Sequence, residues 1–220
     1  MPGVNSVNVT INGTPLNYSP SRKYYNDNII VQHNGTYNLN VTAEINGKAL
    51  SASSTTTVPP SGFEMIEENL GDIKFDVESP IFNFTRSIYD DESYSFSVVA
   101  LNPDTLNYIQ NHPFQGERDG KEILDELNEL AHNLDLFIDF SNVSENLISL
   151  SIGMENTNFY TSYRVVGYAS DKNYKDFVLT GLNVQTTDGN FFEPVFHIEG
   201  DGIGYFGSGI ADTLYFNIVK

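Results

Sequence analysis

Tyr37-Asn38-Leu39-Asn40-Val41-Thr42-Ala43-Glu44-Ile45-Asn46-Gly47 decides the fold class. Apolar Tyr37, Leu39, Val41, Ala43 and Ile45 alternate strictly with polar residues, the period of a strand with one face buried. Asn46-Gly47 then supplies the two positive-φ residues of a tight hairpin. Residues 48–58, rich in Ser and Thr, read as the returning strand. Asn12-Gly13 and Asn34-Gly35 are similar turn signals upstream. Residues 4–58 therefore predict a small antiparallel β-sandwich or part of one, and Pro59-Pro60-Ser61-Gly62 punctuates its end. The expected division is a sandwich over 1–60 and a second β-rich domain over 61–220.

Period-two runs continue in the second region: Ile73/Phe75/Val77, Tyr94/Phe96/Val98/Ala100, Ile148/Leu150/Ile152 and Leu214/Phe216/Ile218. The Tyr- and Val-rich stretch 159–168 also suits a strand. One segment departs from this pattern. Ile123, Leu127, Leu130 and Leu134 recur at helical spacing, with Leu124 and Ala131 widening the stripe, so an amphipathic helix is expected over 121–135. Asp119 and Glu122 form a capping pair at its start. A second short helix is expected near 103–111. The fold class is thus mainly β with one inserted helix.

Composition limits function. The 220 residues include 15 Phe and 13 Tyr but no Cys, which supplies a core and excludes disulfides, thiolate metal sites and cysteine nucleophiles. Eleven Lys+Arg against 29 Asp+Glu give −18, which repels phosphate backbones and excludes a nucleic-acid partner. Such acidity serves solubility, and beyond that it attracts Ca²⁺ or a basic partner. No apolar run reaches the ~20 residues that span a bilayer. Met1-Pro2-Gly3-Val4-Asn5 lacks the basic and apolar regions of a signal peptide, while Val7, Val9 and Ile11 already alternate. A longer precursor is the expectation.

Catalytic motifs are sparse. Gly202-Ile203-Gly204-Tyr205-Phe206-Gly207 spells the dinucleotide fingerprint, but Ser208-Gly209-Ile210-Ala211-Asp212 and a strand follow where the fingerprint needs a helix. These glycines read as turns or close backbone approaches. His33, His112, His132 and His197 lack metal-ligand spacing. Asp90-Asp91-Glu92 offers hard oxygen ligands, and these three are the candidate Ca²⁺ ligands, although the spacing is not that of an EF-hand loop and a solvated turn is the plainer reading. Tyr24, Tyr25, Tyr160 and Tyr163 could face a sugar, with core or cross-strand packing the preferred reading. The Asn-x-Ser/Thr triplets at Asn8, Asn12, Asn34, Asn40, Asn83 and Asn142 arise readily in a chain rich in Asn and Thr.

Phe191-Phe192-Glu193-Pro194-Val195-Phe196-His197-Ile198-Glu199-Gly200-Asp201-Gly202-Ile203-Gly204-Tyr205-Phe206-Gly207 resembles the closing motif of an uncharacterised family of Bacteroidota outer-membrane lipoproteins. In that family a Phe-x-Pro segment precedes Asn-Ile-x-Gly-Gly-x-Gly-x-Phe-Gly. Pro194, Gly200, Gly202, Gly204, Phe206 and Gly207 are the matching structural positions. His197 stands in place of Asn, Asp201 in place of the second Gly, and the family's central Asp-Pro-x-x-x-x-Tyr-Tyr segment has no counterpart. The order Asn5 to Gly13, Gly35 to Val41 and Val58-Pro59 is similar to the family's Ig-like region.

The resemblance implies a lipoprotein precursor, placement in the cell envelope on either side of the outer membrane, and genes for TonB-dependent transporters nearby; it implies no catalytic residues. It also makes Asp104-Thr105-Leu106 and Asp212-Thr213-Leu214 resemble the phylum's short O-glycosylation triplet. The functional expectation is a non-enzymatic envelope protein that binds a small or oligomeric ligand or assists an outer-membrane transporter. Its rivals are a hydrolase acting on glycan or peptide, which needs a cleft with paired carboxylates or His plus carboxylates, and a calcium-stabilised adhesive module.

Overall fold

The computed structural model describes residues 4–75, 77–129, 134–139, 144–181 and 194–220. The protein is mainly β, with several antiparallel sheets and two α-helices. Two compact units are interleaved in sequence. Unit 1 comprises 1–61, 89–93 and 170–209, and unit 2 comprises 62–88, 94–169 and 210–220. The first break falls within the Pro59-Pro60-Ser61-Gly62 punctuation. The units are nevertheless not the two consecutive domains 1–60 and 61–220, because the chain returns twice to the N-terminal unit.

Unit 1 begins with β1 (Val4–Ile11), β2 (Thr14–Pro15), the hairpin β3 (Asn17–Ser19) with β4 (Lys23–Tyr25), and the long pair β5 (Thr36–Ile45) and β6 (Lys48–Thr57). Asn46 and Gly47 turn the β5–β6 hairpin at φ 53° and 77°, as the local sequence requires. Ten residue pairs run in register from Thr36↔Thr57 to Ile45↔Lys48. The alternation along β5 is complete: Thr36, Asn38, Asn40, Thr42 and Glu44 are exposed, and the five apolar residues between them are only half-buried. Val9 and Val58 are the buried apolar residues of this unit's N-terminal part, beside buried Ser54 and Thr56.

Unit 2 has the larger core. Its strands are β7 (Glu64–Met65), β8 (Asn69–Lys74), β9 (Ile81–Thr85), β10 (Ser93–Ala100), β11 (Leu134–Asp139), β12 (Leu147–Ser151) and β13 (Ser162–Ser170). After α2 (Lys172–Gly181) and β14 (Glu199–Gly200) the chain ends in β15 (Gly209–Val219). The five-stranded sheet has the order β11-β10-β13-β15-β8, and the three-stranded sheet β12-β9-β7. Pairing is antiparallel in the three-stranded sheet, whereas β15 and β8 run parallel. Met65, Phe82 and Phe84 from the smaller sheet share one core with Tyr94, Phe96, Tyr163, Val165, Leu214 and Phe216 from the larger. This is sandwich packing. Each such fully buried side chain contributes roughly 1.5–3 kcal/mol of burial free energy.

Helix α1 covers Gly120–Glu129. Its start is as expected: the Asp119 carboxylate accepts from the N–H groups of Lys121 (2.8 Å) and Glu122 (2.9 Å), and Glu122 reaches back to the Asp119 N–H at 3.1 Å. Its end is earlier than expected, because Leu134 opens a strand. Leu130 and Ala131 lie outside the described residues. Near 103–111 a single turn of 3-10 helix forms at Thr105–Asn107, capped by Asp104. Among the described residues no helix is long and apolar enough to cross a membrane.

Candidate functional site

Unit 1 gathers the most chemistry around α2 and the segment 194–207. Asp171 starts the helix: its Oδ1 accepts from the Tyr174 N–H at 3.1 Å and its Oδ2 from the Thr56 hydroxyl. The Thr56 and Ser208 hydroxyls lie 2.7 Å apart, and the Asp171 N–H donates to the Ser208 carbonyl at 3.0 Å. Burial pushes the Asp171 carboxyl above the ordinary range, against the hydrogen bonds that favour its charge. Asn173 donates to the carbonyls of Thr55 (2.7 Å) and Phe206 (2.8 Å), so the first turn of the helix ties β6 to the glycine-rich segment.

One turn on, α2 presents a charged and an aromatic neighbour to 194–207. The Asp176 carboxylate meets His197 Nε2 at 2.8 Å and Lys172 Nζ at 3.2 Å, and Lys172 lies 3.4 Å from Asp91. Phe177 stacks on Tyr205 with ring centroids 4.5 Å apart and faces Phe196 at 6.1 Å, while Tyr174 meets Tyr205 edge-on. The Val195 N–H donates to the Thr180 hydroxyl at 2.8 Å.

Residues 199–207 pin the other side of this segment. Glu199 and Gly200 pair with Ser53 and Ala52 of β6, with Gly200 at φ 95°. A Cβ on Gly202 would lie 2.7 Å from Ala52 Cβ and 3.2 Å from Ile198 Cγ2, so only glycine permits this approach. Gly207 comes similarly close to the Asp171 carboxylate. No helix follows the glycines. Within the fingerprint spelling Gly202 and Gly207 make close approaches, whereas Gly204 takes φ 133° with open space beside it.

Two cavities flank Gly202. One, of about 170 Å³, is lined by Val41, Ala43, Leu50, Ser51, Ala52 and Asp201 as well as Gly202. The other, of about 400 Å³, is lined by Pro194, Phe196, Ile198, Gly202 and Ile203. Ile203 is 86% exposed, and Val195 and Tyr205 are exposed beside it. His197 lies between Phe196 and Ile198 in sequence but is not among the cavity's lining residues; its ring is held by Asp176.

The calcium candidates have three different surroundings. Asp90 is exposed on a turn, Asp91 sits at φ 62° facing Lys172, and Glu92 is buried. Among the described residues no group of three or more His, Asp or Glu is placed to hold a metal ion. His33 lies against the Pro59 carbonyl, His112 is buried against the carbonyls of Met154 and Thr157, and His132 lies outside the described residues. Of the tyrosines considered for sugar contact, Tyr163 is buried and stacked on Phe216, whereas Tyr24 is exposed and pairs with Tyr18.

Helix α2 and its residues Asp171, Lys172, Asp176 and Phe177 were not expected from the sequence. The signal that could have found them is Asp171 as an N-cap with Tyr174, Phe177 and Val178 at helical spacing behind it. No family model matches the chain, and no curated protein sequence matches it.

Proposed function

We propose that the protein is a non-enzymatic binding component of the bacterial cell envelope, and that 194–207 with the adjoining end of the β5–β6 hairpin is its contact region. The observation that carries this reading is the pair of concavities around Gly202, the smaller apolar and the larger mixed in polarity, rimmed by exposed Ile203. Concave apolar sites with a few polar groups at the edge suit ligands or anchor side chains of a partner. The region is held by backbone pairing to β6 and by α2, so little ordering opposes binding. The resemblance of this same segment to Bacteroidota lipoproteins supports a lipid-anchored precursor at the outer membrane and a TonB-dependent transporter as the partner. The net charge of −18 supports partners other than nucleic acid.

A hydrolase has one arrangement in its favour, His197 against Asp176. That pair braces the segment from the helix side, and Asp176 is shared with Lys172. The test is a photo-crosslinking residue placed at Ile203 in the native host, with products identified by mass spectrometry. An outer-membrane transporter or its bound ligand is expected. Recovery from native envelopes with neither attached would overturn the proposal.

A further inference from the structure

The smaller cavity beside Gly202 is defined closely enough to name what it holds. Its apolar lining is two rungs of the β5–β6 hairpin, Val41↔Ala52 and Ala43↔Leu50. Residues opposed in a rung share a face, so the two alanines sit diagonally between the larger Val41 and Leu50. Their short side chains make the depression, and all four residues are only half-buried. Gly202, whose added Cβ would lie 2.7 Å from that of Ala52, borders the depression without filling it. The volume of about 170 Å³ is room for one side chain. A dry apolar cavity of about 150 Å³ accommodates a benzene ring, whereas sites for whole small molecules run to about 300–1,000 Å³.

Asp201 supplies the charge of this lining. Its Oδ2 accepts from the Ser51 N–H at 3.0 Å, and among the described residues no cation pairs with it. Lys48, two residues before Leu50 on β6, is exposed and makes no ion pair among the described residues either. An apolar depression bordered by an unneutralised carboxylate selects a group with an aliphatic stem and a cationic tip. Lysine and arginine are such groups, burying their methylenes while the charge stays at the surface. Lysine fits the carboxylate better. A guanidinium fork takes both oxygens at once, and Oδ2 is already engaged, whereas an ammonium is a point charge that needs one. A second copy of this chain, itself at −18, is repelled by the first, so the lysine belongs to a different protein.

We infer that the smaller cavity seats a single lysine side chain of the partner protein, with its ammonium on Asp201; this rests on the reading of 194–207 as a partner-binding region. The test is an amide NMR titration of the whole chain with N-acetyl-lysine methylamide. N-acetyl-norleucine methylamide, which has the stem without the ammonium, is titrated in parallel. Both are expected to shift the amides of Ala43, Leu50, Ala52 and Gly202. The lysine compound should bind about threefold more tightly at low salt, the range of a partly exposed ion pair, and lose that preference in molar salt. Asp201→Asn still accepts from the Ser51 N–H and should bind the two compounds alike. Ala43→Leu fills the depression and should abolish the shifts from both, at a melting temperature no lower than wild type. Equal binding of the two compounds by wild type, a preference that survives Asp201→Asn, or shifts that miss these four amides would each overturn the inference. The partner reading, tested separately at Ile203, would then stand. A seated lysine compound with nothing captured at Ile203 in the native host would instead overturn the partner reading, and with it the protein source of the lysine.

Discussion

Ser51 and Asp201, 150 residues apart in the chain, bind each other twice: the Ser51 N–H donates to the Asp201 carboxylate at 3.0 Å, and the Asp201 N–H donates to the Ser51 carbonyl at 2.7 Å. This is the clasp that holds 194–207 on β6 beyond the two-residue ladder of β14. Both residues are exposed, so water can replace part of what is lost. Asp201→Ala is expected to cost about 1 kcal/mol and to speed amide exchange at Ser51, with Asp201→Asn close to wild type because an amide oxygen still accepts. Exchange at Ser51 unchanged in the Ala variant would show that the clasp is not formed in solution.

Gly202 is expected to be the most size-sensitive position of the same segment. Its missing side chain lets the backbone lie against Ala52 and Ile198. Gly202→Val must push these apart, at a cost of about 1–3 kcal/mol. Urea unfolding reads the effect, and Ala52→Gly in the same molecule should restore part of the stability by opening the space. A Val variant as stable as wild type would mean that the segment stands further from β6.

How much of this was legible in the sequence depends on the range of the force involved. The β5–β6 hairpin was legible because alternation and Asn46-Gly47 are local signals. The capping of α1 by Asp119 and Glu122 was legible for the same reason. The helix end was not, since Leu134 continues the helical stripe and also starts the alternation Leu134/Leu136/Ile138, and strand pairing won. The interleaving of units hangs on contacts such as Asn173 with Thr55 and Ser51 with Asp201, between segments more than 100 residues apart. The glycines of 200–207 marked close approach, but the sequence did not say that the partners were β6 and α2.

The two triplets that resemble O-glycosylation sites are placed very differently. Thr105 is exposed at the 3-10 turn beside Leu106, itself 94% exposed. Thr213 is half-buried within β15, between fully buried Leu214 and Asp212, whose carboxylate binds the Met65 N–H at 2.8 Å. In protein exported by its own host, peptide mass analysis is expected to find added hexose on Thr105 and none on Thr213. Hexose on Thr213 would mean that modification precedes folding, and an unmodified chain would remove the reading altogether.

Asp171 gives a pH signature with a definite sign. Burial raises its folded pKa above the unfolded carboxylate value of about 3.9, so between the two values the folded protein holds a proton that the unfolded chain releases. Stability from this group is therefore greatest below the unfolded pKa and declines as pH rises through the folded one. Asp171→Asn keeps an amide oxygen to accept from the Tyr174 N–H and offers an NH2 donor to the Thr56 hydroxyl oxygen, while removing the charge. Its urea midpoint is expected to match or exceed wild type at neutral pH and to lose the decline that wild type shows as pH rises above the unfolded carboxylate value. Asp171→Ala loses both hydrogen bonds and should cost about 1–2 kcal/mol at every pH. If Asn proves as damaging as Ala at neutral pH, the negative charge itself is needed there, and a cation near Thr56 and Ser208 becomes the explanation to pursue.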